Sequence, residues 1–145
     1  MNAEVRRILE RHYREKREHR RVLNRGGRRY AGVTVSRFKR LTIYLRSDML
    51  CLFCGHRFDL DDPSLFTLES EASLEHIKPR VCGGSSGYEN LVLACRDCNS
   101  TRGERDIWSY LDKYQMERLK EILRRDLHPY WDKAAKILGD RTKLE

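Results

Sequence analysis

Between Asn2 and about Asn24 the chain has no Gly or Pro, and Val5, Ile8, Leu9 and Tyr13 recur at helical spacing ahead of a run of Arg, Lys and Glu. This predicts a basic helix with a short apolar stripe, closed by Gly26 and Gly27. From Tyr30 to Leu50, β-branched residues (Val33, Thr34, Val35, Thr42, Ile43) mix with Arg37, Lys39 and Arg40, so helix and strand both stay open. Asp59 to Ser64 reads as a polar loop. Ser73-Leu74-Glu75-His76-Ile77 reads as a short strand stopped by Pro79, and Leu91-Val92-Leu93-Ala94 as a second. Between them, Gly83 to Gly87 is the most flexible stretch. A helix should start at Arg96 and meet Gly103. Beyond it, Trp108, Leu111, Leu119, Ile122, Leu123 and Leu127 predict an amphipathic helix from about Asp106 to Asp126. Pro129 suits the first turn of a last helix reaching about Leu138.

Composition adds a constraint on how such elements cohere. Of the 145 residues, 39% are hydrophobic and 36% charged, which is lean for a core that stands by itself and points to a non-hydrophobic staple. No run approaches the roughly 20 apolar residues of a membrane span, and the N-terminus is charged where a secretory signal would be apolar. The expectation is an intracellular, cytoplasmic protein with no membrane partner. Residues 1–40 hold 14 Lys+Arg against 4 Asp+Glu, whereas the rest of the chain holds 16 against 18. The net charge of +8 is thus concentrated near the N-terminus. Such a block attracts polyphosphates by releasing their counterions, which makes nucleic acid the natural partner and an acidic membrane surface the weaker one.

The cysteines supply the staple. Cys51-Leu52-Phe53-Cys54 and Cys95-Arg96-Asp97-Cys98 are two CxxC pairs, separated by 40 residues. Each can curl as a knuckle, and together they offer four sulfurs to one tetrahedral ion, most often Zn²⁺. With four protein ligands and no open position, the site would be structural. Disulfides fit an intracellular chain poorly, and a thioredoxin-like redox pair would not need the second CxxC. Cys82 has no partner at ligand spacing and reads as a spare thiol.

Within the loop closed by the clamp stand Glu75-His76, Asn90 fourteen residues after the histidine, and Asn99 directly behind the last cysteine. Singly these are ordinary residues: a lone His is commonly structural, and Asn beside Gly a turn former. In combination the clamp would pin Asn99 at a helix start, and the strand bearing Glu75-His76 can pack across it. Here the sequence resembles the HNH endonucleases of the ββα-metal superfamily. The resemblance rests on the first CxxC, Leu74-Glu75-His76-Ile77-Lys78-Pro79-Arg80 with Gly83-Gly84, Glu89 to Asn99 including the second CxxC, and Arg102-Gly103. It spans about residues 46–105. The last letter of the name is Asn here, a common variant.

The resemblance implies an α+β fold with a small ββα-metal core at 46–105, a basic N-terminal helical extension at 1–45 and a C-terminal helical extension at 106–145. It implies that His76 is the general base, Asn90 its support, and Glu75 and Asn99 ligands of a catalytic Mg²⁺ or similar ion. Cutting of DNA would leave a 5′ phosphate and a 3′ hydroxyl. Glu75 departs from the more frequent Asp by one methylene, so its reach to a metal must differ. Arg80 and Arg102 could pair with flanking phosphates or be ordinary surface residues. Cutting of both strands could call for a homodimer. The rival reading is a non-catalytic nucleic-acid-binding module held by zinc, and an RNA-directed or structure-selective nuclease is a further one. The chain carries no helix-turn-helix or RNA-binding sheet motif that would decide the substrate.

Overall fold

The computed structural model describes residues 35–67 and 70–139. The basic helix expected over residues 2–24 lies outside them.

The stretch left open between helix and strand resolves as helix α1, Arg37–Arg46. Ser36 decides its start, accepting the Lys39 backbone N–H at 3.2 Å through its hydroxyl. Thr42, a residue that weakens the helix prediction, is accommodated by donating its hydroxyl to Phe38 O at 2.7 Å. Leu41, Ile43, Tyr44 and Leu45 are buried. Behind α1 the chain reverses through Asp48 and Met49, two consecutive left-handed residues with φ near 58° and 59°. Such a conformation is uncommon outside glycine and needs outside support.

Strand β1, Ala72–His76, pairs antiparallel with β2, Leu91–Cys95, in a two-stranded sheet. The register sets Leu74 against Leu93, Glu75 against Val92 and His76 against Leu91. Cys95 then serves as N-cap of helix α2, Arg96–Arg102, which Gly103 ends at φ 60°. This β–β–α order is the mixed core expected from the sequence. The long helix expected from Asp106 to Asp126 is instead two: α3, Ile107–Tyr110, and α4, Lys113–Arg124. Leu111 is extended, and Asp112 restarts the helix with a reciprocal capping box, its side chain bonding Gln115 N–H while the Gln115 side chain returns to Asp112 N–H. Apolar spacing runs through the break because Leu111 and Leu119 bury on the same side. Helix α5, His128–Leu138, starts on Pro129 as expected.

Strand β2 is apolar at consecutive positions because both faces of the sheet are covered. Leu91 and Leu93 join Leu74, the α1 residues and Ala134 and Leu138 of α5 in one cluster. Val92 joins Ile77, Ile107 of α3, and Leu119 and Ile122 of α4 in a second. The helices after residue 106 therefore complete the core around the sheet.

Candidate functional site

The two knuckles meet. Cys51, Cys54, Cys95 and Cys98 bring their sulfurs within 4.8 Å of one another, close enough to hold a metal ion. The backbone turns inward around them: Phe53 N–H and Cys95 N–H lie 3.4 and 3.2 Å from Cys51 Sγ. Burial pushes the Cys51 thiol up, but these N–H groups and that of Cys54 outweigh it, and the net shift is downward. For Cys98, burial followed by the neighbouring sulfurs has the upper hand and pushes its thiol up to about 12; Cys95 is raised for the same reasons. Four crowded sulfurs cannot all ionise without a cation among them, and this is the donor set that soft-tolerant Zn²⁺ favours.

From this staple β1 and α2 run side by side, and the candidate residues lie along their contact. Asn99 donates its amide to Leu74 O at 3.1 Å and Ser73 Oγ at 3.3 Å. Its amide oxygen has no partner among the described residues. One helical turn on, Arg102 is 1% exposed and reaches the same strand. Its Nη1 meets Glu75 Oε1 at 2.5 Å and His76 O at 2.7 Å, Nη2 donates to Ile77 O at 2.8 Å, and Nε to Arg105 O at 2.7 Å. The expectation that Arg102 faces a phosphate does not fit this position. Every nitrogen of its guanidinium is committed inside the protein.

Glu75 is 2% exposed, and burial, opposed by the hydrogen bond and charge of Arg102, raises its carboxyl to about 7. Its second oxygen, Oε2, is buried with no hydrogen-bond partner. Such an acceptor is costly to leave unmatched. Glu75 and Asn99 both lie on the contact between β1 and α2. One carboxylate oxygen thus stays on Arg102 while the other is uncommitted.

His76 ends β1, and strand alternation sends its ring to the face opposite Glu75. The half-buried imidazole shares a 3.3 Å hydrogen bond with Ser86 Oγ through Nε2. Burial, then the nearby Arg80 charge, lowers its pKa. Asn90 is buried at the far end of the intervening loop and ties it across: Oδ1 accepts Lys78 N–H at 2.8 Å, and Nδ2 donates to Lys78 O at 3.0 Å and Ser85 O at 2.7 Å. Gly84 permits this closure, since a Cβ there would overlap the Lys78 carbonyl and crowd the Asn90 amide. Arg80 is exposed on the 3₁₀ turn Arg80–Cys82 of the same loop, and Cys82 is exposed beside it.

Sequence reasoning missed Ser86, an ordinary loop serine, and the C-terminal arginines. Arg118 of α4 donates to the carbonyls of Ser47 (2.8 Å), Cys51 (3.1 Å) and Leu50 (3.3 Å), and Gln115 to Phe53 O at 2.7 Å. Arg125 holds Arg46 O at 2.8 Å and Asp48 at 2.7 Å. These bonds brace the left-handed turn and the first knuckle. In sequence they look like the polar face of an amphipathic helix.

What the fold and site define is a small α+β unit in which a two-stranded sheet and a helix are stapled by a cysteine cluster able to hold a metal. A model of the HNH endonuclease family matches residues 51–105, the segment from the first knuckle past Arg102. That segment is thus similar to the HNH endonucleases, a family of nucleases. No curated relative matches the chain. Among the described residues no helix is long and apolar enough to cross a membrane.

Proposed function

We propose that the protein is a metal-dependent endonuclease that hydrolyses DNA phosphodiester bonds, with Zn²⁺ on Cys51, Cys54, Cys95 and Cys98 as a structural staple. The observation that carries this reading is the buried, unpartnered Oε2 of Glu75 on the strand that ends in His76, with Asn99 bonded to that same strand. A divalent cation such as Mg²⁺ held by these two residues would neutralise charge growing on the phosphate and on the departing 3′ oxygen. The rest falls to the protein's own residues. In this reading Glu75 and Asn99 would hold the ion, and His76, which ends the same strand, would serve as the base. In the tautomer whose Nε2–H donates to Ser86 Oγ, Nδ1 of His76 is the nitrogen left to take the proton from the attacking water. Partial burial and then Arg80 lower the pKa of the ring, which favours the neutral form a base needs. Asn90 fixes the loop carrying Ser86, and so the ring. Arg80 on the loop surface is a phosphate contact, and the basic N-terminal block adds affinity that weakens with salt.

The test is nicking of supercoiled plasmid by the zinc-loaded full chain with and without Mg²⁺. His76→Ala should lower the rate by about 10² to 10⁴-fold, the usual worth of a general base. Undiminished cutting by His76→Ala would remove His76 as the base. A parent protein that binds but never cuts with any divalent cation would leave a zinc-held binding module.

A further inference from the structure

Next to the β1–α2 contact is a cavity of about 410 Å³, within the size range of small-molecule sites. Ile77, Ile107 and Arg102 line it together with Lys78, Glu104 and Trp108. It adjoins the candidate site from two sides, since Ile77 directly follows His76 and Arg102 is the partner of Glu75. Trp108 is 41% exposed, high for so large an apolar side chain, and its ring has no aromatic or cationic partner among the described residues. Glu104 is exposed and its carboxylate has no hydrogen bond or ion pair among them.

The lining suits one class of occupant. A phosphate is disfavoured, because the Arg102 donors are committed elsewhere and Glu104 would repel it. Two isoleucines and an indole offer flat apolar surface to an aromatic ring. Glu104 offers an acceptor to an exocyclic amine, as carboxylates do toward cytosine N4. Lys78 is exposed where it can meet the phosphate attached to such a ring. A nucleobase reaches a side cavity of this kind only when it is unpaired and unstacked.

We propose that this cavity receives one unpaired nucleobase adjoining the scissile phosphate, with Trp108 as its stacking platform, so that single-stranded or locally opened DNA is favoured over intact duplex. The substrate preference rests on the nuclease reading, but the base site itself is measured by binding alone. The experiment uses the zinc-loaded full chain carrying His76→Ala in Mg²⁺-free buffer, with a fluorescein-labelled cytosine-rich single strand and the matching duplex as probes. Trp108→Ala should weaken single-strand binding about tenfold by anisotropy, with Trp108→Phe close to the parent and duplex binding unchanged. In a Trp131→Phe background, Trp108 is the sole tryptophan, and its fluorescence should be quenched by the single strand but not the duplex. Equal single-strand affinity in Trp108→Ala and parent would overturn the proposal, as would absence of quenching. If the parent fails to nick plasmid yet binding still depends on Trp108, the base site stands and the nuclease reading falls. If nicking depends on His76 but binding ignores Trp108, only the base site falls.

Discussion

Arg102 shows how much a single side chain can organise from a buried position. It joins the helix to the Glu75 carboxylate and to the carbonyls of His76 and Ile77, the last residues before the loop that Asn90 closes. Removing one member of such a pair leaves a buried charge without its counterpart, which typically costs about 3 to 5 kcal/mol. Arg102→Met is therefore expected to lower unfolding free energy in urea by about that amount. Arg102→Lys retains the charge but cannot serve all four acceptors, and should fall between parent and Arg102→Met. A loss below about 1 kcal/mol for Arg102→Met would mean that the pair contributes little to holding β1 on α2. The sequence lets Arg102 be read either as a phosphate contact or as an ordinary surface residue, because a guanidinium looks the same whether it faces solvent or a buried carboxylate. By contrast Asn99 could be placed on its helix from the adjacent cysteine alone, a constraint of one residue.

At the scale of elements, α4 bears on a site it does not contain. Its arginines and Gln115 reach the backbone of residues 46–53, where two left-handed residues turn the chain into the first knuckle. Charge-assisted bonds of this kind contribute about 1.5 to 3 kcal/mol. Arg118→Ala should therefore destabilise the fold by roughly 2 to 3 kcal/mol and speed zinc loss to a chromogenic chelator, whereas Lys120→Ala on the same helix should do neither. Equal zinc release from parent and Arg118→Ala would show that the knuckle holds its shape unaided. This bracing could not be read from the chain, since Arg118 lies 67 residues from Cys51. The break between α3 and α4 was legible in principle: Asp112-x-x-Gln115 is a capping box, and the smooth apolar spacing across it concealed the interruption. The identity of α1 hinged on a cap at Ser36, which β-branched residues further along masked.

For the molecule as a whole, two hydrophobic clusters sit on either face of a two-stranded sheet, and the cysteine cluster lies where the first knuckle meets the junction of β2 and α2. A sheet this small has little stability of its own, so metal binding and folding should be coupled. Removing zinc with a strong chelator is expected to abolish the cooperative thermal transition seen by circular dichroism. Readdition of Zn²⁺ should restore it, and Mg²⁺ should not. An unchanged transition after verified metal removal would show that the helices following residue 106 hold the core without the staple.

The chain by itself determined the four-cysteine clamp, the order strand, strand, helix, and the placement of Glu75, His76, Asn90 and Asn99 relative to that clamp. These depend on short-range spacing, and spacing along a backbone of fixed geometry is written in the sequence. Only the tertiary structure decided that Arg102 turns inward to Glu75, that Ser86 meets His76, that α4 braces the first knuckle, and that Trp108 opens onto a cavity beside the site. Each of those pairings joins residues distant in the chain or depends on which face of an element is covered. Such choices follow from how the packed surfaces exclude water, which no local pattern records.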